Sequence, residues 1–517
     1  AQCKNLSVAT GASVTINGNG QGTLQIAGTI SNSGTITATD GTVALLGTAP
    51  QVIPAGTFAT NTIRNFTVNN ANGVSLTGAL NLTGILTLSA GVLNTGNFLT
   101  LKSNASTTAM IAPVVGSVNG QMTIERYIPA RRAFRFLSSP VDGGSINANW
   151  QEGLSTAAGL GTDITGTAGA ANGFDVSGSN NPSLFTFDNI AGTWGAVENT
   201  LTTNLVAGKP YRILIRGDRT IDQTNNSSEP TNTTLRSTGT IKTGTVNVSG
   251  LTTVAGKNSF IGNPYQAPVN MVSVMAASSN INPNFYYVWD PTLGGTPTVG
   301  QPGGRGAYVT VLLPDGTNTS GSDANQYLQP NHGAFVQTLS EGASTSVVFQ
   351  ESFKTLLTNH TPVLYNTNEN NVSRINLKLY DSNSLALGDS PADGFIIDFS
   401  ANYSNALDSM DAKKVGNQDE NVSISNGEML LSVERRSLPS TSDIITLTNT
   451  QYRKTNYTYL AQVSDLDGVT AYLLDNYNGE TTELESESTT AYSFTVNSED
   501  AASIAANRFS IIFGEEQ

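Results

Sequence analysis

The sequence predicts an all-β protein, with an N-terminal β-solenoid followed by β-sandwich or jelly-roll-like modules. Three observations carry this expectation. Short runs alternate apolar residues with Ser, Thr or Asn, which is the period of a half-buried strand. Glycine is abundant, with 51 residues in 517, and recurs between those runs where the chain must turn. Charged residues make up only 12% of the chain, about half the usual share, and few segments carry a helical apolar period.

Residues 1–122 carry the solenoid signal. In "VSLTGALNLTGILTLSAGVLNTGNFLTL" (74–101) apolar pairs fall at Val74/Leu76, Leu80/Leu82, Leu86/Leu88 and Leu99/Leu101, punctuated by Gly78, Gly84, Gly91 and Gly96. The pairs recur roughly every six residues. One such rung cannot bury its own apolar stripe, so it needs neighbours stacked above and below. Only Lys4, Asp40, Arg64 and Lys102 are charged in this region, which suits ladders of like residues.

Residues 123–250 and 251–358 read as two related β-sandwich-like modules. "FRFLSSPV" (134–141) resembles "NSFIGNPYQAPV" (258–269), and Pro140 and Pro264 are 124 residues apart. "AGKPYRILI" (207–215) resembles "PNHGAFVQT" (330–338), with Tyr211 and Phe335 again 124 apart. Residues 363–517 read as an acidic β-sandwich of eight strands, from "SRINLKLYD" to "RFSIIFGEE". Only "SEDAASIAANR" and "SNALDSMDAKK" suggest a helical turn.

The net charge of −14 resides in the last part. Residues 366–517 hold 23 acidic and 9 basic groups, whereas residues 1–365 hold 16 of each. A nucleic-acid partner is not expected, because phosphates would be repelled. Cys3 is the only cysteine, so no disulfide framework is expected, and its position does not suit a lipoprotein anchor. No apolar run is long enough to span a bilayer as a helix. Ala1 begins directly in a strand-like pattern, which suggests a mature or trimmed chain.

The residues for chemistry are few. His332 and His360 are the only histidines, and neither lies in a zinc-protease motif or beside a nucleophile. No catalytic residue and no cofactor is assigned. Structural calcium is the one ion considered, because "DSNSLALGDSPADG" (381–394), "DSMDAKK" (408–414) and "DLDG" (465–468) gather oxygen ligands in loops. In "NFYYVWD" (284–290), Phe285, Tyr287 and Trp289 share one side of a strand. They form a candidate glycan-stacking face, although bulk on both sides favours a strand buried between layers.

The stretch "TIERYIPARRAFRFLSSPV" (123–141) concentrates Arg126, Arg131, Arg132 and Arg135. No wider basic field surrounds them. They are expected to mark the junction between solenoid and sandwich, either pairing with Glu125, Asp142 or Glu152 or covering the carbonyls of the solenoid's open end.

The solenoid repeat resembles segments of large secreted proteins of the Bacteroidota. "ERYIPARRAFRFLSSPV", "LVAGKPYRILIRG", "FIGNPYQAPVN" and "YYVWDP" are similar to phrases of their adhesin-like surface proteins. "AYSFTV…AANRFSIIFGEEQ" resembles the last strand before a type IX secretion sorting domain; that domain is absent from this sequence, and the resemblance implies its cleavage after export. It further implies an extracellular or outer-surface location and contact with the type IX machinery during export. Within it, "DSM" (408–410) matches an O-glycosylation pattern with Ser409 as acceptor. The expected function is a non-enzymatic structural or adhesive surface protein: a stalk, a filament subunit or a gliding-type adhesin component. Its partners would be further copies, other surface proteins or glycans. The runner-up is a carbohydrate-binding protein for polysaccharide capture, followed by a glycoside hydrolase.

Overall fold

The computed structural model describes residues 1–17, 21–295, 304–356, 373–464, 466 and 468–515. The protein is all-β, and its N-terminal part is a solenoid of parallel strands. One stack contains Gln51–Ile53, Val74–Leu76, Val92–Asn94 and Ser117–Asn119. Another places Leu24 beside Val43, then Phe66, Leu86 and Ile111. A third runs Ile63, Leu82, Leu101 and Ile124. All four apolar pairs of 74–101 are buried in this core.

The spacing of six is the step between strands within a coil. The coil itself is 19–25 residues long, from the register of Leu80 on Leu99 to that of Val92 on Ser117. Asparagines tie successive coils together without charge. Ile85 N donates to Asn65 Oδ1 at 2.8 Å, Gln121 N to Asn97 Oδ1 at 2.7 Å, and Asn119 Nδ2 to Asn94 Oδ1 at 2.8 Å.

The solenoid sheet does not stop at residue 122. Met122–Ile128 lies parallel to Leu99–Leu101 on one edge and pairs antiparallel with Thr233–Ile241 on the other. Val141–Gly143 then adds to the far edge of that return strand. A segment more than 100 residues downstream thus covers the last coil.

The duplicated middle forms two four-stranded antiparallel sheets of the same topology. The first runs Ala133–Leu137, Tyr211–Ile215, Leu184–Asp188, Thr193–Ala196. The second runs Asn258–Gly262, Gly333–Gln337, Phe285–Asp290, Ala307–Leu312. They are not two separate sandwiches. Phe136 and Trp194 of the first sheet pack against Phe260, Trp289 and Phe335 of the second in a shared aromatic layer. The expected division at residue 250 is also crossed, because Val246–Val248 pairs with Val347–Phe349.

Among the described residues the C-terminal part is one sheet of eleven strands around a single core, rather than the eight strands expected. The additional strands are Ala412–Lys413, Asn421–Asn426 and Glu480–Leu484. Its order begins with Glu480–Leu484 and ends with Thr489–Thr495, which are consecutive in the chain. The edges approach each other, with Glu485 N donating to Thr490 Oγ1 at 3.0 Å, yet no ladder joins them. The sheet therefore curls round and stays open along one seam. The helical turn expected at 498–508 is a series of turns, and 404–414 holds bends, a turn at 409–410 and the short strand Ala412–Lys413. The α-helices among the described residues are Met271–Ala277 and Ser382–Ala386.

Candidate functional site

Three of the four junction arginines bind backbone carbonyls and the fourth, Arg126, meets a histidine ring; none of the four forms an ion pair with an acid among the described residues. Arg135 is 5% exposed, and its guanidinium donates to the carbonyls of Pro129, Arg131 and Ala133 at 3.1–3.2 Å. Arg131 Nη2 reaches Leu293 O and Gly295 O at 3.3 and 3.2 Å, and Arg132 Nη1 reaches Asn226 O at 3.0 Å. Arg126 Nη2 meets His332 Nε2 at 3.1 Å. The acids expected as their partners are used elsewhere: Glu125 by Lys102, Asp142 by Lys242 and Glu152 by Arg236. The expected pairs followed sequence proximity, whereas the long strand pairings bring other cations closer.

Burial pulls the Arg135 pKa down to about 9, and the charges of Arg131 and Arg126 push the same way. Burial likewise lowers Arg126 to about 10 and Arg132 to about 10, the latter helped by Arg216 and Arg305. Burial lowers Arg131 too, against the opposing charges of Asp389 and Asp290. Arg135, within the strand Ala133–Leu137, holds the 129–133 turn to the first sheet, Arg131 ties that turn to the loop after Phe285–Asp290, and Arg132 ties it to the loop at Asn226. Replacing Arg131 and Arg132 together with serine should destabilise the protein by about 1–3 kcal/mol, because the part-buried carbonyls of Leu293 and Gly295 and the exposed one of Asn226 lose a donor. Urea unfolding measures this, and an unchanged midpoint would contradict the structural role.

Phe285, Tyr287 and Trp289 do share one side, but that side is enclosed. They lie in the aromatic layer at 0, 0 and 7% exposure, among Phe136, Leu312, Ile396 and Val433. Tyr287 donates its hydroxyl proton to Lys413 O at 3.0 Å. No sugar can stack on these rings in the folded protein, which corrects the expected glycan face. The cause is the second layer on each side of the strand.

The oxygen-rich loops use their carboxylates as caps and ion partners. Asp381 accepts from Asn383 N and Ser384 N at the start of Ser382–Ala386. Asp393 binds Lys414, Asp408 accepts from Met410 N, and Asp411 accepts from Arg435 N. Among the described residues, no three His, Cys, Asp or Glu side chains gather as a metal site. Asp465, Asp467 and His360 lie outside the described residues. Ser409 is exposed, and its carbonyl accepts from Asn282 Nδ2 and Asn284 Nδ2 at 2.8 and 3.1 Å.

The seam of the C-terminal sheet forms a groove of about 480 Å³, within the size range of ligand sites. Ser382, Asn456, Tyr477, Asn478, Glu480 and Tyr492 contribute to its lining. Beneath it, Arg508 makes two bonds to Asp475, at 2.8 and 2.6 Å, and donates to Thr495 O and Ser503 O at 2.7 and 2.9 Å. Burial opposes the Asp475 carboxylate, but the Arg508 hydrogen bonds and those of Tyr477 N and Tyr492 outweigh it and hold its pKa below the usual value. The Arg508 guanidinium lies 4.7 Å from the centroid of the Tyr477 ring. Tyr477 sits in the turn between Val469–Asp475 and Glu480–Leu484, in "DNYNGE". The sequence reading passed over this site, because its edge strand "ETTEL" lacks an apolar alternation and the groove arises from a missing pairing. The available signal was an aromatic residue inside an Asn-Gly hairpin turn, where no core requires it.

A capped parallel solenoid, a pair of sheets sharing an aromatic layer and a curled sheet with an open seam define a multi-part all-β protein built as one packed unit. The chain belongs to the family described as Domain of unknown function (DUF8693), whose family model matches residues 39–513. The match runs from within the strand Thr35–Leu45 to the last strand, Phe509–Glu515. No curated protein and no solved structure matches the chain.

Proposed function

We propose that this protein is a non-enzymatic structural or adhesive protein of the outer cell surface, exported by type IX secretion and serving as a stalk, filament subunit or gliding-type adhesin component. The observation that supports a scaffold role is the shared packing of its parts. The aromatic layer contains Phe136 of the first sheet, Phe285 of the second and Val433 of the C-terminal sheet. An array packed in this way resists bending between its parts, as a stalk must. The resemblance of its phrases to surface proteins of the Bacteroidota supports the location and the export route. Polysaccharide capture on Phe285, Tyr287 and Trp289 forms no part of this proposal, because those rings are enclosed.

Surface display is tested on intact cells of the source bacterium. An antibody to the purified chain should label unpermeabilised cells, and external protease should remove the signal. A pool that is protected until the cells are lysed would overturn the surface assignment. Purified protein under negative stain should appear as rigid elongated particles, and particles jointed in the middle would overturn the scaffold role.

A further inference from the structure

We propose that the open seam of the C-terminal sheet is a carbohydrate-binding groove that takes a neutral oligosaccharide, with one pyranose ring laid on the outer face of Tyr477. The inference is independent of whether the chain forms a stalk, since cell location and groove binding are measured separately.

The first argument is the ring itself. Tyr477 is 47% exposed at the mouth of the groove. Its hydroxyl donates to Asp500 Oδ2 at 2.8 Å, and the Arg508 guanidinium backs the ring at 4.7 Å from its centroid. Arg508 is itself fixed by Asp475 and two carbonyls. The platform is therefore oriented before any ligand arrives, which lowers the ordering cost of binding. One face of a pyranose is a patch of C–H bonds with slight positive charge, and the electron-rich face of an aromatic ring attracts it.

The second argument is the rim. Sugar hydroxyls need fixed acceptors and donors beside the ring. Glu480 Oε2 accepts from Asn478 Nδ2 at 3.2 Å and lies 3.5 Å from the Tyr492 hydroxyl, so carboxylate and amide are both oriented at the groove. Asn456, Ser382 and Ser493 add neutral polar groups to the lining. Charge then narrows the ligand class. The cation of the groove, Arg508, is already matched by Asp475, whereas Glu480 has no ion-pair partner among the described residues. With Asp500 beside Tyr477, the rim is net negative, which disfavours sulfated or uronic-acid glycans and favours neutral ones.

The test is isothermal titration of the full chain with cellohexaose, laminarihexaose, maltohexaose and chitohexaose. At least one should bind saturably, and heparin should not. Tyr477→Ala should raise Kd about tenfold, the scale of one good aromatic contact, while Tyr477→Phe, which keeps the ring, should stay within about threefold of the parent. Glu480→Gln should raise Kd by about threefold to tenfold, as for the exchange of a charge-assisted hydrogen bond for a neutral one. Melting curves of each variant confirm that the sheet stays folded. The proposal is overturned if none of the four hexasaccharides binds, if Tyr477→Ala binds as the parent does, or if only a basic strand-forming peptide, such as an oligolysine, titrates into the groove.

Discussion

Replacing Lys414 with methionine should cost about 3–5 kcal/mol, because it strips the partner from a buried charge. Lys414 Nζ lies 2.6 Å from both oxygens of Asp393, whose side chain is fully enclosed in the C-terminal sheet. Val422 N also donates to that carboxylate at 2.7 Å. Burial raises the Asp393 pKa even against the opposing pull of Lys414. Without the ammonium group, the carboxylate must stay charged with backbone donors alone or take up a proton.

The pH dependence has a definite sign. A carboxyl group whose pKa is raised by folding stabilises the native state fully below its unfolded pKa and loses that contribution as pH rises through the folded value. Losing Lys414 raises the folded value further, so the penalty should be smaller at pH 5 than at pH 8. Urea unfolding of parent and variant at both pH values measures this. A loss under about 1 kcal/mol at pH 8 would mean that water reaches the pair. Joint replacement of Asp393 by leucine and Lys414 by methionine should recover much of the stability, since no charge is then left stranded.

Phe136→Ala should cost about 3–5 kcal/mol as well, by a different mechanism. Phe136 is buried with Phe260, Phe335, Tyr308, Trp194 and Trp289 at centroid distances of 4.8–5.9 Å. Truncation opens a cavity between two sheets that close-packed rings cannot easily fill. Because the layer is common to both sheets, the loss should lower one cooperative melting transition. Calorimetry would contradict the shared layer if an early transition separated from an unchanged later one.

The solenoid and the all-β class were legible in the sequence because each depends on local alternation. Leu80/Leu82 and Leu99/Leu101 declare a strand whatever lies beside them, and the register then stacks them. The length of the coil was hidden, because turns of unequal length separate like positions. The return strand "TTLRSTGTI" alternates clearly, but its partner lies more than 100 residues away and no local signal names it. Burial of Tyr287 followed from bulk on both faces of its strand. Carbonyls were one of the two expected partners of the arginines, but they were expected at the solenoid's open end; the carbonyls of 129–133, Asn226, Leu293 and Gly295 did not follow, since carbonyls leave no mark in a sequence. "NVSISN" was passed over although Val422 and Ile424 alternate and are buried, whereas "ETTEL" is a polar edge strand held only by its neighbour Val469–Asp475. The groove was hidden with them, because it is a gap between two edges.

The return strand Thr233–Ile241 has a consequence for how such a chain can change in evolution. It fixes one terminus of the coil stack, while the coils upstream share a common register. Gaining or losing one whole coil between Ile26 and Leu99 would displace the first coil by about 4.7–4.9 Å and leave the fixed terminus untouched. The stack is thus a ruler graduated in single coils. Related chains can set the reach of their first coil from the aromatic layer by number alone, without redesigning either end.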